Sequence, residues 1–333
     1  MGQAEIREFL LYQLNSVKIP AETGHTRKSA RFIKPKYSDI VIMDRHLIGK
    51  GGAMKNLEAV IAAIEYIETH LSDEKLDLDT VADAVHYSKY HLHRIFSDTV
   101  QLTIHDYVQR RQITEAAKLL TFSDKPIINI AILAGYDSQQ AFSNVFKAMY
   151  KQSPLEFRKN EAFYPLQLEY DFKSRRETVR NSSEEPTRVI RFATETDIPA
   201  WVELTRLSVD GFPYLDEAEH TAALKRYIAD SGAFLIIEGG ACIGGMLLSH
   251  ETGSIDFLAV HPLHRKQGVV RDFLDAALTE LIETKEISIT TFREGDKADT
   301  GYRKALKDLG FAEAELLTEF GYPTQRMVLP RED

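Results

Sequence analysis

Two stretches of this chain repeat one pattern, and that repetition restricts its fold more than any other feature. Val81 to Phe96 and Ile130 to Phe146 each read as a short helix, a turn and a second helix. In the first, His86-Tyr87 makes the turn and Ser88 caps a helix whose Leu92, Ile95 and Phe96 face inward. In the second, Gly135 punctuates the turn, where a residue free to take positive φ is needed. Asp137 or Ser138 caps the helix that follows, and Phe142, Val145 and Phe146 at i, i+3, i+4 make its apolar face. Between the units, Ile104 to Leu120 reads as one long helix with Tyr107, Val108, Ile113, Ala116, Ala117 and Leu120 as core positions and Arg110 and Arg111 on it. A rigid connector of this kind holds two helices a fixed distance apart, and successive major-groove faces of DNA recur about every 34 Å.

The outer faces carry the chemistry. Tyr90, His93 and Arg94 point outward in the first unit, and Gln139, Gln140, Ser143, Asn144 and Lys147 in the second. Amides can bond adenine edges in pairs, Arg can bond guanine bidentately, and Tyr can pack on a thymine methyl or a phosphate. Lys89, Lys147 and Arg158 read as phosphate neighbours. His91 and His105 read as packing or surface histidines, and the acidic residues between Glu58 and Asp83 as solvated faces.

The net charge of -9 opposes nucleic-acid binding until it is divided along the chain. Residues 86–160 hold ten Lys/Arg against six Asp/Glu, and residues 188–331 hold sixteen against twenty-three. A mildly basic middle thus precedes an acidic C-terminal half, the asymmetry expected when one module faces phosphate and another does not. At 333 residues the chain has room for two cores. No apolar run reaches the ~18 residues of a membrane helix, the start lacks a secretion-signal pattern, and no Cys/His group has zinc spacing. The single cysteine, Cys242, excludes an intramolecular disulfide and fits a reducing cytoplasm.

The paired arrangement resembles the DNA-binding domain of the AraC family of transcription regulators over about residues 56–159. The segments that carry the resemblance are His86-Tyr87-Ser88, Arg94-Ile95-Phe96, Ile130-Ala131, Gly135-Tyr136, Phe142-Ser143, Phe146-Lys147 and Ser153-Pro154-Leu155-Glu156-Phe157-Arg158. The family usually has Arg where this chain has Asn144, which implies a changed base preference at that contact. The resemblance implies that base reading lies on the outer faces named above and that double-stranded DNA is the partner.

Ahead of this module, residues 1–53 stay unassigned, with one candidate helix from Glu5 to Leu14. Lys50-Gly51-Gly52-Ala53 before Met54 is encodable as a purine-rich, ribosome-site-like string. The expectation is that Met54 is the natural start; peptides from before it, seen by mass spectrometry of the natural N-terminus, would refute this. The next helix is expected over Asn56–Leu71, with Leu57, Val60, Ile61, Ile64 and Ile67 on one face, and then Leu78–Val85, capped by Asp77 or Asp79. After the module, residues 161–187 form a boundary: Tyr164 to Tyr170 suggests a short strand and Lys173 to Pro186 a polar linker.

From Arg188 strands and helices alternate. Strands are expected at Val189–Phe192, Phe234–Ile237, Ile243–Ser249, Ser254–Val260 and Ile287–Phe292, from Gly310-Phe311, and at Met327–Leu329. Helices are expected from Asp197, as cap, to Val209, and over Glu217–Ala229, Val270–Thr284 and Thr300–Leu309. Between Val260 and Val270 a strand ends, a cationic loop with a glycine follows, and a helix begins. Backbone N–H groups at such a place suit a pyrophosphate, and Gly268 allows close approach. The order of elements and this loop resemble the GNAT superfamily of N-acetyltransferases over about residues 188–330. Arg265 and Gly268 match its loop pattern, Val270 departs from it, and Leu309-Gly310-Phe311 matches its end. The resemblance implies acetyl-CoA as cofactor, held by Leu258, Ala259, Val260, Arg265, Lys266, Gln267, Gly268, Val269 and Val270. Leu306 stands where the family often has a general-acid tyrosine, and Tyr302, one turn earlier, is the substitute. A transfer to an amine needs a proton acceptor as well. Asp256 on the strand beside the groove is the first candidate; Glu294 and Asp296 are others.

The expected fold is therefore two-domain: an all-α double helix-turn-helix DNA-binding domain over 54–160, a linker over 161–187, and an α/β acetyltransferase-like domain with a mixed sheet over 188–331. The leading functional expectation is a sequence-specific transcription regulator carrying an acetyl-CoA-dependent N-acetyltransferase-like domain. Two others stay open: an N-acetyltransferase of a small amine with self-regulation through DNA, and a non-catalytic acyl-CoA or ligand sensor.

Overall fold

The computed structural model describes residues 40–42, 50–72, 76–170, 172, 188–208, 217–280, 286–319 and 321–330. The candidate helix Glu5–Leu14, the linker Lys173–Pro186, Val209 and the stretch from Leu281 to Thr284 lie outside them. The described residues from Val41 onward belong to one compact unit. Strand β1 is Ile40–Ile42.

Seven helices follow: α1 Lys50–Thr69, α2 Leu78–Ala84, α3 Lys89–Val100, α4 Ile104–Phe122, α5 Ile127–Leu133, α6 Gln139–Tyr150 and α7 Pro154–Asn160. Helix α1 starts earlier than expected and runs through Gly51-Gly52. Glycine disfavours a helix by only about 1 kcal/mol per residue relative to alanine, and the apolar face from Val60 to Ile67 is buried against α2 and α3 and carries the helix. Side chains settle the caps. Asp77 Oδ1 accepts from Thr80 N–H at 2.9 Å, so Asp77 rather than Asp79 caps α2. Ser138 rather than Asp137 caps α6, accepting from Ala141 N–H at 3.2 Å.

The two helix-turn-helix turns close alike. Tyr87 N–H donates to Ala82 O and His86 N–H to Asp83 O; Tyr136 N–H donates to Ala131 O and Gly135 N–H to Ile132 O. Both are Schellman closures, whose pivot residue takes positive φ. The pivots are Gly135 at +77° and His86 at +59°. Helix α4 serves both units: its early residues pack with α1–α3, and Ile113, Ala116, Ala117 and Leu120 pack with α5–α7 around Phe142 and Phe146.

Residues 164–170 form no strand. They run along α4 as an irregular strap whose backbone is satisfied by side chains of that helix. Thr114 Oγ1 accepts from Leu166 and Gln167 N–H at 3.1 Å each, while Arg110 donates to Leu166 O and Arg111 to Gln167 O. Arg111 also holds Glu68 of α1 with Nε and Nη2, and Tyr107 O–H donates to the same carboxylate. Both arginines are thus buried structural donors.

The rest is a mixed sheet of β2 Arg188–Phe192, β3 Ala233–Glu238, β4 Ala241–Leu248, β5 Ser254–Val260, β6 Glu286–Phe292, β7 Ala312–Glu319 and β8 Tyr322–Pro330. Its order is β2-β3-β4-β5-β6-β8-β7, antiparallel except between β5 and β6. Helices α8 Ile198–Ser208 and α9 Glu217–Ala229 pack on one face, and α10 Val269–Glu280 and α11 Tyr302–Asp308 on the other. Two adjacent glycines on β4 permit this. A Cβ at Gly244 would meet the Phe273 ring at 2.8 Å, and one at Gly245 the Trp201 ring at 3.2 Å on the opposite face. Asp197 does not cap α8. It ends a 3-10 turn, Glu195–Asp197, where its carboxylate accepts from Thr194 N–H and from both terminal nitrogens of Arg191.

Candidate functional site

The outer faces of α3 and α6 stay open to solvent. Tyr90, His93, Arg94, Gln139, Gln140, Asn144 and Lys147 are exposed and Ser143 is half-buried. Tyr90 is 80% exposed, although it is among the largest side chains of the domain. An aromatic left so bare on a helix that buries Leu92, Ile95 and Phe96 has no packing role in this fold. Lys89 pairs with Asp79 at 3.3 Å, which raises its pKa, and sits over the Tyr90 ring. Arg94 Nη2 lies 3.4 Å from His91 Nδ1, and His91 stacks on Tyr87. On α6, Gln140 Nε2 donates to Asn144 Oδ1 at 2.9 Å, one turn apart. Arg158 is used otherwise than expected: Nε donates to Leu120 O and Nη2 to Lys125 O, closing the end of α4.

Two exposed helix faces of the same design, each beside one shared helix, are the arrangement of a paired helix-turn-helix domain. The chain is 40% identical over 98 residues to the probable transcription factor PqrA of Proteus vulgaris, covering 29% of this chain and 80% of that protein. It is 35% identical over 105 residues to the regulatory protein SoxS of Salmonella typhimurium, covering 32% and 97%. The chain belongs to the AraC family of transcription regulators. Residues 81–160 match the helix-turn-helix domain model, and residues 201–311 match the acetyltransferase (GNAT) family model. A GNAT-family acetyltransferase from Bacillus cereus is 15% identical, with 44% of this chain and 99% of that one covered and a TM-score of 0.36. This AraC-family regulator is therefore a DNA-binding protein that also carries a GNAT acetyltransferase domain. Among its described residues, no helix is long and apolar enough to cross a membrane.

In the GNAT domain, β5 and β6 pair only at Ser254–Ser288 and Ile255–Ile289. Beyond those residues β5 pairs with β4 alone, from Phe257 to Val260. Next come a 3-10 turn, Pro262–His264, the loop from Arg265 to Gly268, and α10. Gly268 takes φ +77°, and a Cβ there would meet no atom within 4 Å. Open space beside a turning backbone, next to the unpaired N–H groups of a helix start, fits a pyrophosphate. Val270, the departure from the loop pattern, is half-buried against the sheet core.

The loop's shape is fixed from below by a buried ion cluster. Arg188 donates to Gln267 O at 2.9 Å and pairs with Asp272 at 2.8 Å and Glu238 at 3.1 Å. His264 Nδ1 lies 2.7 Å from Gln267 Oε1, and Gln267 Nε2 donates to Leu263 O. The side chain of Gln267 is thus committed to holding the loop. Arg265 stacks over the Tyr302 ring, and both reach Ser208 O at the end of α8.

The proposed acid–base residues are dispersed. Asp256 is exposed, with Tyr227 O–H from α9 and Ser254 O–H (2.6 Å) donating to its carboxylate. Tyr227 has its pKa raised by burial and then by the Asp256 charge. Leu306 is in the sheet core and Tyr302 is half-buried. Asp296 is committed to structural bonds: Lys151 Nζ, Tyr322 O–H and Ala298 N–H all donate to it. Glu294 is exposed. Sequence reasoning missed Tyr227 and also Glu319. The Glu319 carboxyl is pushed up chiefly by burial, with the Asp256 charge adding to it and Thr290 and Thr324 opposing. No sequence signal links these residues, because they come from α9, β5 and the end of β7.

Proposed function

We propose that this regulator reads DNA with Tyr90, His93 and Arg94 in its first unit and with Gln139, Gln140, Ser143, Asn144 and Lys147 in its second, in the cytoplasm. The supporting observation is that the GNAT domain packs against the strap, α4 and Lys151 while both reading faces stay exposed. DNA can therefore approach without the two domains parting. The proposed boundaries are 54–160 for the reader, 161–187 for the linker, whose residues 164–170 pack on the reader, and 188–331 for the GNAT domain. Arg94→Ala combined with Gln140→Ala should abolish binding to a selected operator, with the thermal transition retained. Unchanged affinity for that operator would reject the assignment.

We further propose that the GNAT domain binds acetyl-CoA, along Leu258, Ala259 and Val260 and at the loop from Arg265 to Val270, and that binding biases the DNA-bound state. The short pairing of β5 with β6 and the open side of Gly268 support it. In this reading Gln267 and Arg188 keep the loop in shape, Val269 anchors α10, and Lys266 offers its charge. The bound cofactor supplies a thioester. Isothermal calorimetry with acetyl-CoA tests the reading, and no binding overturns it.

A second reading has a specific observation in its favour. Asp256 lies exposed on β5 beside the proposed groove, where it can accept a proton from an attacking amine. Tyr302 would be the donor to the departing thiolate, and a small amine the acceptor. Thiol release across a panel of amines separates the two: acetyl-CoA binding without turnover leaves the sensor, and turnover lost in Asp256→Asn establishes the transferase.

A further inference from the structure

The loop proposed for the pyrophosphate is walled on one side by the DNA-binding domain. Leu263 packs on the core of α1–α4, and the His261 ring lies 6.0 Å from Phe172, which belongs to that core. Lys266 Nζ lies 3.5 Å from Asp98 Oδ1 of α3. From this contact a cleft of about 890 Å³ opens between the domains. The reader contributes Ser97, Gln101, His105 and Gln109, and the GNAT domain Lys266 and Lys297, among others.

The charges of the cleft are unequally committed. Asp296 takes Lys151 and Tyr322, Asp299 accepts from Gly301 and Tyr302 N–H, and Asp106 accepts from Thr103 O–H. Lys266, Lys297 and His105 are all exposed, and the only ion partner of Lys266 among the described residues is the exposed Asp98. The cleft thus begins at Lys266 of the proposed pyrophosphate loop and offers the cations of Lys266 and Lys297, with the Asp106, Asp296 and Asp299 carboxylates already bonded. A ligand that passes from the loop at Lys266 into the cleft with further phosphate to place meets Lys297 next.

We infer that the nucleotide end of a coenzyme A thioester, a 3′-phosphorylated adenosine diphosphate, lies in this cleft, with Lys266 and Lys297 on its phosphates and His105 at the start of α4 as the facing wall. The DNA-binding domain is then part of the cofactor site. By linkage, DNA and coenzyme A each change the other's affinity by the same factor if the cleft differs between the free and DNA-bound states. This rests on the acyl-CoA reading above.

The test is calorimetry on the full chain with coenzyme A and with dephospho-coenzyme A, which lacks the 3′-phosphate. The wild type should bind coenzyme A the more tightly. Lys297→Glu and His105→Glu, at exposed positions in different domains, should each weaken coenzyme A about tenfold, the scale of one lost charge-assisted phosphate contact, and should narrow the gap between the two ligands. Thermal melting checks that both variants stay folded, and Lys297→Gln repeats the test without a new anion. Tight binding that neither substitution changes, or equal affinity for the two ligands, overturns the cleft assignment and leaves the acyl-CoA reading standing. No binding of either ligand to the wild type overturns both.

Discussion

Lys151 Nζ lies 2.8 Å from Asp296 Oδ1, joining the residue that ends the second reading helix to the GNAT loop ahead of α11. The Asp296 side chain is only 4% exposed and Lys151 is 25% exposed. Tyr322 donates to the same carboxylate, and burial first, then the Asp296 charge, raises the tyrosine pKa. Removing one partner of a buried pair leaves the other charge in low dielectric. Lys151→Ala should therefore destabilise the chain by about 2–3 kcal/mol, less than for a fully buried pair because Tyr322 and Ala298 N–H remain. Urea unfolding checks this, and an unchanged midpoint would show that the two domains do not depend on the pair.

The two pivot residues predict opposite outcomes. His86 holds φ +59° and Gly135 φ +77° in equivalent closures. A side chain in the left-handed region is disfavoured by about 1–2 kcal/mol. His86→Gly should raise stability by up to about 1 kcal/mol after the extra unfolded-state entropy of glycine is subtracted. Gly135→Ala should lower it by about 1–2 kcal/mol, since the new Cβ would also stand 3.0 Å from Gln112 Nε2. Both are read from the thermal midpoint.

These closures also show why the reader was legible in the sequence. Its signals are local: a cap, a pivot and an apolar i, i+3, i+4 set lie within a few residues of one another. The strap from Tyr164 to Tyr170 looked like a strand because its apolar residues alternate. It pairs with no strand because Thr114, Arg110 and Arg111, some fifty residues away, supply its hydrogen bonds. The strand expected from Gly310-Phe311 forms, as β7, against the local propensity of its residues. Ala312 to Glu319 is rich in helix-favouring Ala, Glu and Leu, yet it lies at the sheet edge, half in solvent, paired with β8. The turn at Gly268 was legible from its glycine, which takes φ +77°. The roles of Tyr227 and Glu319 were not, because only the sheet brings α9, β5 and β7 together.

Asp197 predicts a pH dependence. Arg191 first, and then the Thr194 N–H and O–H, hold its carboxyl well below the usual carboxylate range, against a smaller opposing effect of burial. The unfolded carboxyl titrates near ~3.9. A depressed folded pKa stabilises the fold fully above that value, and the contribution is lost as pH falls toward the folded pKa. Asp197→Asn should thus lower stability by roughly 1–2 kcal/mol at pH 7, discounting for the one-third exposure of Arg191. The difference from wild type should shrink steadily below pH ~4. Parallel unfolding curves at pH 7 and pH 3 measure it, and an equal difference at both would remove the ion pair as its cause.

Asn144 makes the sharpest prediction about sequence reading. It stands one turn beyond Gln140 and accepts that side chain's amide proton at 2.9 Å. The pair leaves one Gln oxygen and one Asn amide nitrogen open to solvent as a joined unit, and in the proposed DNA complex amides of this kind bond adenine at N6 and N7. Arginine at the same position cannot accept from Gln140, because guanidinium has donors only. Asn144→Arg should therefore free Gln140 and bring a guanine contact in place of an adenine contact at one step of the second half-site. The expected discrimination is about 1–3 kcal/mol at that base pair. Added charge also raises affinity for every sequence, so the total affinity says little about reading. The informative measurement is selection from randomised DNA at fixed salt with wild type and Asn144→Arg in parallel. A shift confined to one base pair from A·T toward G·C places Asn144 on that base. An identical selected motif for the two proteins would take Asn144 off the reading surface and leave the Gln140 pairing as a solvent-exposed contact.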